Sequence, residues 1–290
     1  EDKRNIVREE LNSKLENHKF FVVDESIITL QGNESKSSNP TNIGWHIKAT
    51  NLIPAWNTTQ GAEDVVVAIV DDGIDVNHTM FTGRFYKAYN VFTQNRTLSA
   101  GVGHGTHVAG LAVGSADYIE KGVTGVAPKC KIMPIQVFDN GICTFSSIAS
   151  GIMYAIHNGA DVVNISIGPS FKGIDRLPIS EQEKIASALF KNEERVYRHI
   201  IKTANEKNVI LVFAAGNDNI LTSILPECRF KKNSINVAAV SPQMTSADFT
   251  NYAIGTNVSA PGVDIYSAFP SNSFKCLMEQ VWQHLLLQEL

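Results

Sequence analysis

Three polar side chains stand at junctions between elements: Asp71 and Asn217 where long apolar runs stop, and His104 among glycines where a helix can begin. Asp71 closes the run in "VVVAIVDDGID", His104 sits in "GHGTHVAG", and Asn217 follows "VILVFAAG". Each type can do chemistry. A carboxylate can orient a base, an imidazole exchanges its proton near neutral pH, and a side-chain amide can donate to a developing oxyanion. Each also has a plainer role: a polar cap at a strand end, a satisfied core histidine, a turn asparagine. His107, one helical turn beyond His104, is assigned a structural role.

Such residues act together only if the fold gathers them. Runs rich in Val and Ile cover Asp64–Val70, Lys131–Phe138, Asp161–Ile167, Val209–Ala214 and Ser234–Val240. They have the pattern of strands buried on both faces. Helical stretches lie between several of them, including "SSIASGIMYAIHNG" and the long "SEQEKIASALFKNEERVYRHIIKTANEKN". Alternation of this kind predicts an α/β fold with a mostly parallel central sheet covered on both sides. Sites in such sheets form at the carboxyl ends of strands, where Asp71 and Asn217 stand. Residues 1–22 are charged and predict a helix, "KFFVVDESIITL" predicts a strand or two, and "QGNESKSSNPTN" is a polar linker. The boundary falls near Asn39–Asn42, leaving residues 1–41 as an amino-terminal segment and 42–277 as the main domain.

The composition narrows the partners. A net charge of −4 points to neither nucleic acid nor an acidic membrane surface. No apolar run is long enough to predict a membrane-spanning helix, and no signal peptide is visible. The cysteines Cys130, Cys143, Cys228 and Cys276 form no CxxC pair, which argues against a zinc site. No GxGxxG follows the first strand, which argues against a nucleotide-binding α/β domain.

"VAIVDDGID", "GHGTHVAG", "NISIGPS", "FAAGN" and "VSAPGVDIYSA", in this order, resemble the successive motifs of the subtilisin-like serine proteases, the subtilases. The likeness runs from about Trp45 to Leu277 and takes in the helix "ATNLIPAWNTTQGA" before the first strand. It implies a three-layer sandwich, incomplete at its carboxyl end, and hydrolysis of peptide bonds in polypeptide substrates. By this resemblance Asp71 orients His104, His104 is the general base, and Asn217 stabilises the oxyanion. Ser166, Ile167 and Gly168 would pair with the substrate backbone, and Ala214, Ala215 and Gly216 would line the pocket for the residue before the cut. Asp72 makes an Asp-Asp-Gly like that of kexin-like proteases and would favour a basic residue two positions before the cut. The resemblance also implies secretion and a propeptide partner; residues 1–41 stand where a remnant of one would lie, although they do not match its pattern. Met80 stands where many subtilases carry a calcium-binding Asp, and "SADYIEK" lacks a calcium-loop pattern. No metal or other cofactor is expected. "GPSFKGIDRLPISEQEKIASALFKNEERVYR" is longer than the usual connection and reads as a surface insertion with an added helix.

The family's nucleophile lies in "NGTSMAAP", shortly after "APGV". Here the chain continues "SAFPSNSFKCLMEQVWQHLLLQEL" without it. Met278 through His284 can be encoded ATG GAA CAA GTA TGG CAG CAC, followed by CTN. Read from the third base of the Met codon, the same bases give Gly-Thr-Ser-Met-Ala-Ala-Pro. One base lost near codon 278 would make residues 278–290 out-of-frame translation and put Val281 where the serine belongs. The expectation is a serine endopeptidase of subtilase type that is inactive as written; the alternative is a pseudoprotease that binds peptides without cutting them. Ser259 and Ser273 are the nearest other serines, and both lie outside the motif.

Overall fold

The computed structural model describes residues 27–29, 33–34, 43–171, 173–230, 232–253 and 255–278. The expected helix within 1–22 and the tail from 279, with Val281, lie outside the described residues.

The strands are β1 (Ile27–Thr29), β2 (Asn33–Glu34), β3 (Val66–Asp71), β4 (Tyr89–Asn90), β5 (Lys131–Gln136), β6 (Phe138–Asp139), β7 (Ile142–Thr144), β8 (Val162–Ile165), β9 (Ile210–Ala214), β10 (Ile235–Val240), β11 (Val258–Pro261), β12 (Ile265–Phe269) and β13 (Ser273–Met278). The helices are α1 (Trp45–Ala49), α2 (Leu52–Ala55), α3 (His104–Val113), α4 (Phe145–His157), α5 (Ile179–Ala188) and α6 (Lys191–Glu206). Seven strands form one sheet in the order β11-β10-β9-β8-β3-β5-β4, and every pairing in it is parallel.

The β3 sequence explains its central place. All six residues are buried, and they alternate between two cores. Val66, Ala68 and Val70 face a cluster with Ile148 and Ile152 of α4 and Ile200 and Ile201 of α6. Val67 and Ile69 face one with Val108, Ala109 and Ala112 of α3. A strand apolar on both faces needs a helical layer on each side, and the result is a three-layer sandwich. From β3 the chain crosses through α3 to β5 on one flank, and then through α4 to β8 on the other. The strand order therefore reverses at β3, and a crevice opens at its carboxyl end.

Two three-stranded sheets flank the main one, ordered β1-β7-β6 and β12-β13-β2. The described residues of the amino-terminal segment thus pair with the main body: β1 runs antiparallel to β7, and β2 to β13. Of the helix expected over "ATNLIPAWNTTQGA", only α2 (Leu52–Ala55) forms; a left-handed turn at Asn51, φ 54°, separates it from α1, which ends at Ala49. The long helical stretch is likewise two helices, broken at Phe190, φ 60°. All four cysteines are free and buried.

Candidate active site

Asp71 ends β3 and is fully buried. His104 is the first residue of α3, and its Nδ1 lies 2.7 Å from Asp71 Oδ1. The same oxygen accepts the Asp72 N–H at 2.8 Å. The imidazole side chain is 14% exposed against 1% for the carboxylate, so the acid is enclosed while the ring reaches the surface. An ionised carboxylate can only accept, so Nδ1 donates, and Nε2 is the basic nitrogen of the neutral ring.

Asp72 is also enclosed, at 2% exposure. Its Oδ2 accepts the Val102 N–H at 2.7 Å and the Gly103 N–H at 3.2 Å. Its Oδ1 accepts the Gly105 N–H at 2.7 Å. Burial first, and then the neighbouring Asp71 charge, push this carboxyl up to about 7, against the opposing pull of His104 and the backbone N–H groups. At 2% exposure it is not a solvated turn carboxylate. Both oxygens are engaged with the loop around His104, and the residue also forms part of the wall of a cavity of about 610 Å³ shared with Asn90, Ser99, Gln136, Asp139 and Asn140.

Because β3, β8 and β9 are adjacent and parallel, their carboxyl ends share one edge of the sheet. Ser166, Ile167 and Gly168 leave β8 there, with Ile167 buried; Ser166 Oγ accepts from Asn164 Nδ2 at 2.8 Å. Ala214 ends β9, Ala215 N–H donates to Val237 O at 2.9 Å, and the Gly216 carbonyl accepts the Asn251 N–H at 2.9 Å. Asn217 follows, exposed to solvent. A side chain that sequence reasoning missed shapes this turn. Asn251 is fully buried, and its Oδ1 accepts the N–H groups of Asp218 at 3.0 Å and Ile220 at 3.1 Å. Ser170 Oγ donates to Asp218 Oδ1 at 2.7 Å, which ties the loop after β8 to the loop after β9.

The remaining expected residues fall elsewhere. His107 is fully buried, with Nε2 3.1 Å from Ile265 O and 3.2 Å from Lys275 O; it fastens α3 to β12 and β13. Ser259 is exposed on β11. Ser273 Oγ donates to Pro270 O at 2.8 Å. Met80 is fully buried in the core, and a thioether is no ligand for a hard cation. Among the described residues no group of three His, Cys, Asp or Glu is placed to hold a metal ion, and no helix is long and apolar enough to cross a membrane.

Comparison with known proteins gives a consistent picture. A sequence profile described as "Subtilase family" matches residues 62–282. The chain is 31% identical over 221 residues to the thermophilic serine proteinase of Bacillus sp. (strain AK1), covering 76% of this chain and 49% of that protein. It is 30% identical over 224 residues to thermitase of Thermoactinomyces vulgaris, covering 77% of this chain and 71% of that one. The chain thus spans about half the length of the Bacillus relative. Among solved structures, a cold-adapted subtilisin-like serine proteinase superposes with a TM-score of 0.62 at 22% identity, over 90% of this chain and 83% of its own. The prenylagaramide maturation protease PagA does so with a TM-score of 0.62 at 25% identity, over 80% and 75%.

Proposed function

The chain belongs to the subtilase family, and on that premise we propose that Asp71, His104 and Asn217 are the acid, base and oxyanion donor of a serine endopeptidase site whose nucleophile this sequence lacks. The observation that carries the reading is the 2.7 Å contact between the Asp71 carboxylate and His104 Nδ1 at the carboxyl end of the central strand.

In such a site His104 Nε2 removes the hydroxyl proton of a serine as its oxygen adds to the substrate carbonyl. The imidazolium is held by Asp71. The carbonyl oxygen, now an anion, accepts a hydrogen bond from the Asn217 amide. His104 then returns the proton to the departing amine, and water repeats the sequence on the acyl-enzyme. Ser166–Gly168 and Ala214–Gly216 border the same sheet edge, and we assign them to the substrate backbone and to the side chain before the cut. The substrate is a polypeptide and, following the family, the protein acts outside the cytoplasm.

Val281 cannot supply the hydroxyl. We read residues 278–290 as the out-of-frame product of one lost base. The chain as written should therefore take no label from a fluorophosphonate. Restoring the base, with the downstream chain, should create a serine that labels stoichiometrically and hydrolyses peptides. His104→Ala in that restored enzyme should lose roughly 10⁶ in kcat, the scale known for subtilisin itself. Labelling of the present chain, or a restored and folded chain that neither labels nor cuts, would overturn the assignment.

A second reading has its own support. β1 lies antiparallel along β7, and Ile28 is buried in the cluster that holds Phe145 and Tyr197. An edge that accepts one extended strand can hold a peptide without cutting it. We assign this segment the part of a propeptide remnant that occupies the edge of β7, an edge separate from Ser166–Gly168. Removal of residues 1–41 should raise the affinity for extended peptides, as read by fluorescence anisotropy. Unchanged affinity would place the peptide elsewhere.

A further inference from the structure

We propose that Asp72 is a positioning residue, whose carboxylate fixes the loop Val102–Gly105 and so holds the His104 ring against Asp71. The proposal rests on the acid–base reading of Asp71 and His104 given above.

The first support is the placement of its hydrogen bonds. The donors Val102 and Gly103 precede His104, and Gly105 follows it. One carboxylate oxygen holds each side of the histidine. The first N–H groups of a helix have no partner within the helix. Here the residue before the helix, Gly103, offers no side-chain cap. Asp72, just past the end of β3, supplies the acceptor that the helix start lacks.

The second support is the closeness of the fit. A Cβ on Gly101 would stand 2.4 Å from Asp72 Oδ2, and one on Gly105 would stand 2.3 Å from Gly73 O and 3.1 Å from Asp72 Oδ1. At Gly101 it is the Asp72 carboxylate that leaves room only for glycine; at Gly105 it is chiefly the Gly73 carbonyl. A displacement of Asp72 therefore moves the loop and the ring together.

The third support is electrostatic. Two successive buried carboxylates repel one another, and an unpaired buried charge is costly. The groups facing Asp72 are Asp71 on its own strand, His104 on α3, and Asp139 of β6 across the cavity. Of these, only His104 can carry a positive charge. In the pH range where both carboxylates are ionised, the pair is best tolerated with the imidazolium present, and there Asp72 favours the charged ring.

The test uses the chain as it stands, because it reads the ring and not turnover. Imidazole nitrogen and proton resonances of His104 are followed against pH in the unmodified chain, Asp72→Asn and Asp72→Ser, with amide spectra of β8–β10 as the check on folding. Asp72→Asn removes the charge and turns an NH2 towards a backbone N–H. The midpoint of His104 should fall by about one pH unit, and the Nδ1 proton shared with Asp71 should be lost to solvent exchange. A folded variant that keeps both the midpoint and the protected proton would overturn the proposal, since a merely structural cap moves neither. If neither variant folds, the unmodified chain decides. Exchange protection of the Val102 and Gly105 amides should fall as the Asp72 carboxyl carbon reports protonation. Protection that is unchanged through that titration overturns the proposal. Failure of the acid–base reading would look different: a restored enzyme that still labels after His104→Ala, with the ring resonances of the present chain behaving as described here.

Discussion

At the carboxyl end of β9 the backbone passes through Gly216 at φ 103°, and a Cβ there would lie 2.2 Å from Asn251 Nδ2. Both the conformation and the contact exclude a side chain. Gly216→Ala should therefore destabilise the protein by about 2 kcal/mol or more, read as a lower urea midpoint; an unchanged midpoint would mean that the turn can relax. Because Asn217 is the next residue, the same change should weaken its alignment with an oxyanion in any restored enzyme. Individual residues were unequally legible in the sequence. Asp71 could be singled out because a polar side chain ending an apolar strand is a visible break in pattern, and His104 because it stands among glycines where a helix of small residues begins; the two lie 2.7 Å apart. Asn251 could not. It lies in an irregular stretch, between β10 and β11, with no period to mark its burial. The surroundings of Asp72 were likewise hidden, since its partners Val102, Gly103 and Gly105 are backbone groups some thirty positions away.

At the level of elements, the stretch after β8 shows how a long connection is fastened. Gln182 of α5 is buried; its Oε1 accepts the Leu221 N–H at 2.9 Å, and its Nε2 donates to Leu177 O at 3.1 Å. The Arg229 guanidinium donates to Ala186 O at 2.6 Å, Ser223 O at 2.9 Å and Glu194 Oε2 at 2.7 Å. One side chain thus joins the end of α5, the start of α6 and the loop beyond Asn217. Gln182→Ala would leave the buried Leu221 N–H without its acceptor, at a cost of about 1–3 kcal/mol. Amide exchange should quicken between 218 and 225 while β3 and β8 stay protected; uniform quickening would show that the loop is not a separate unit. The helical character of α5 was legible in a long charged stretch. Its separation from α6 was not, since Phe190 has no preference for the left-handed conformation it adopts. The parallel strands were readable because residues buried on both faces give unbroken apolar runs. The short strands β4, β6 and β7 and the β12–β13 hairpin have no such signature, and their partners decide them.

For the molecule as a whole, three buried groups set a pH dependence. Burial pushes Glu227 from 4.5 up to about 7, and Asp72, raised by burial and by Asp71, goes from 3.8 to about 7. Both bind a proton in the folded chain that the unfolded chain has released, so their contribution is full near pH 4 and is lost as pH rises through about 7. Burial, then the charge of His107, lower His46 from 6.5 to about 4. Its effect is opposite in sign: stability falls as pH drops below 6.5. Two protons outweigh one, so the melting temperature at pH 6 should exceed that at pH 8 by about 5 °C; a flat or rising profile from pH 6 to 8 would refute the balance. The same architecture also constrains the order of assembly. Trp45 Nε1 donates to Val263 O across 218 residues, and β2 pairs with β13, almost at the end of the described chain. Loop closures of this length slow the search for the native topology. During synthesis on a ribosome, β1 can pair once β7 has emerged, but β2 waits without its partner until β13 has followed. Until then the half-made sheet depends on protection from other chains, and a translational pause before residue 273 would prolong that exposed interval more than a pause after residue 278.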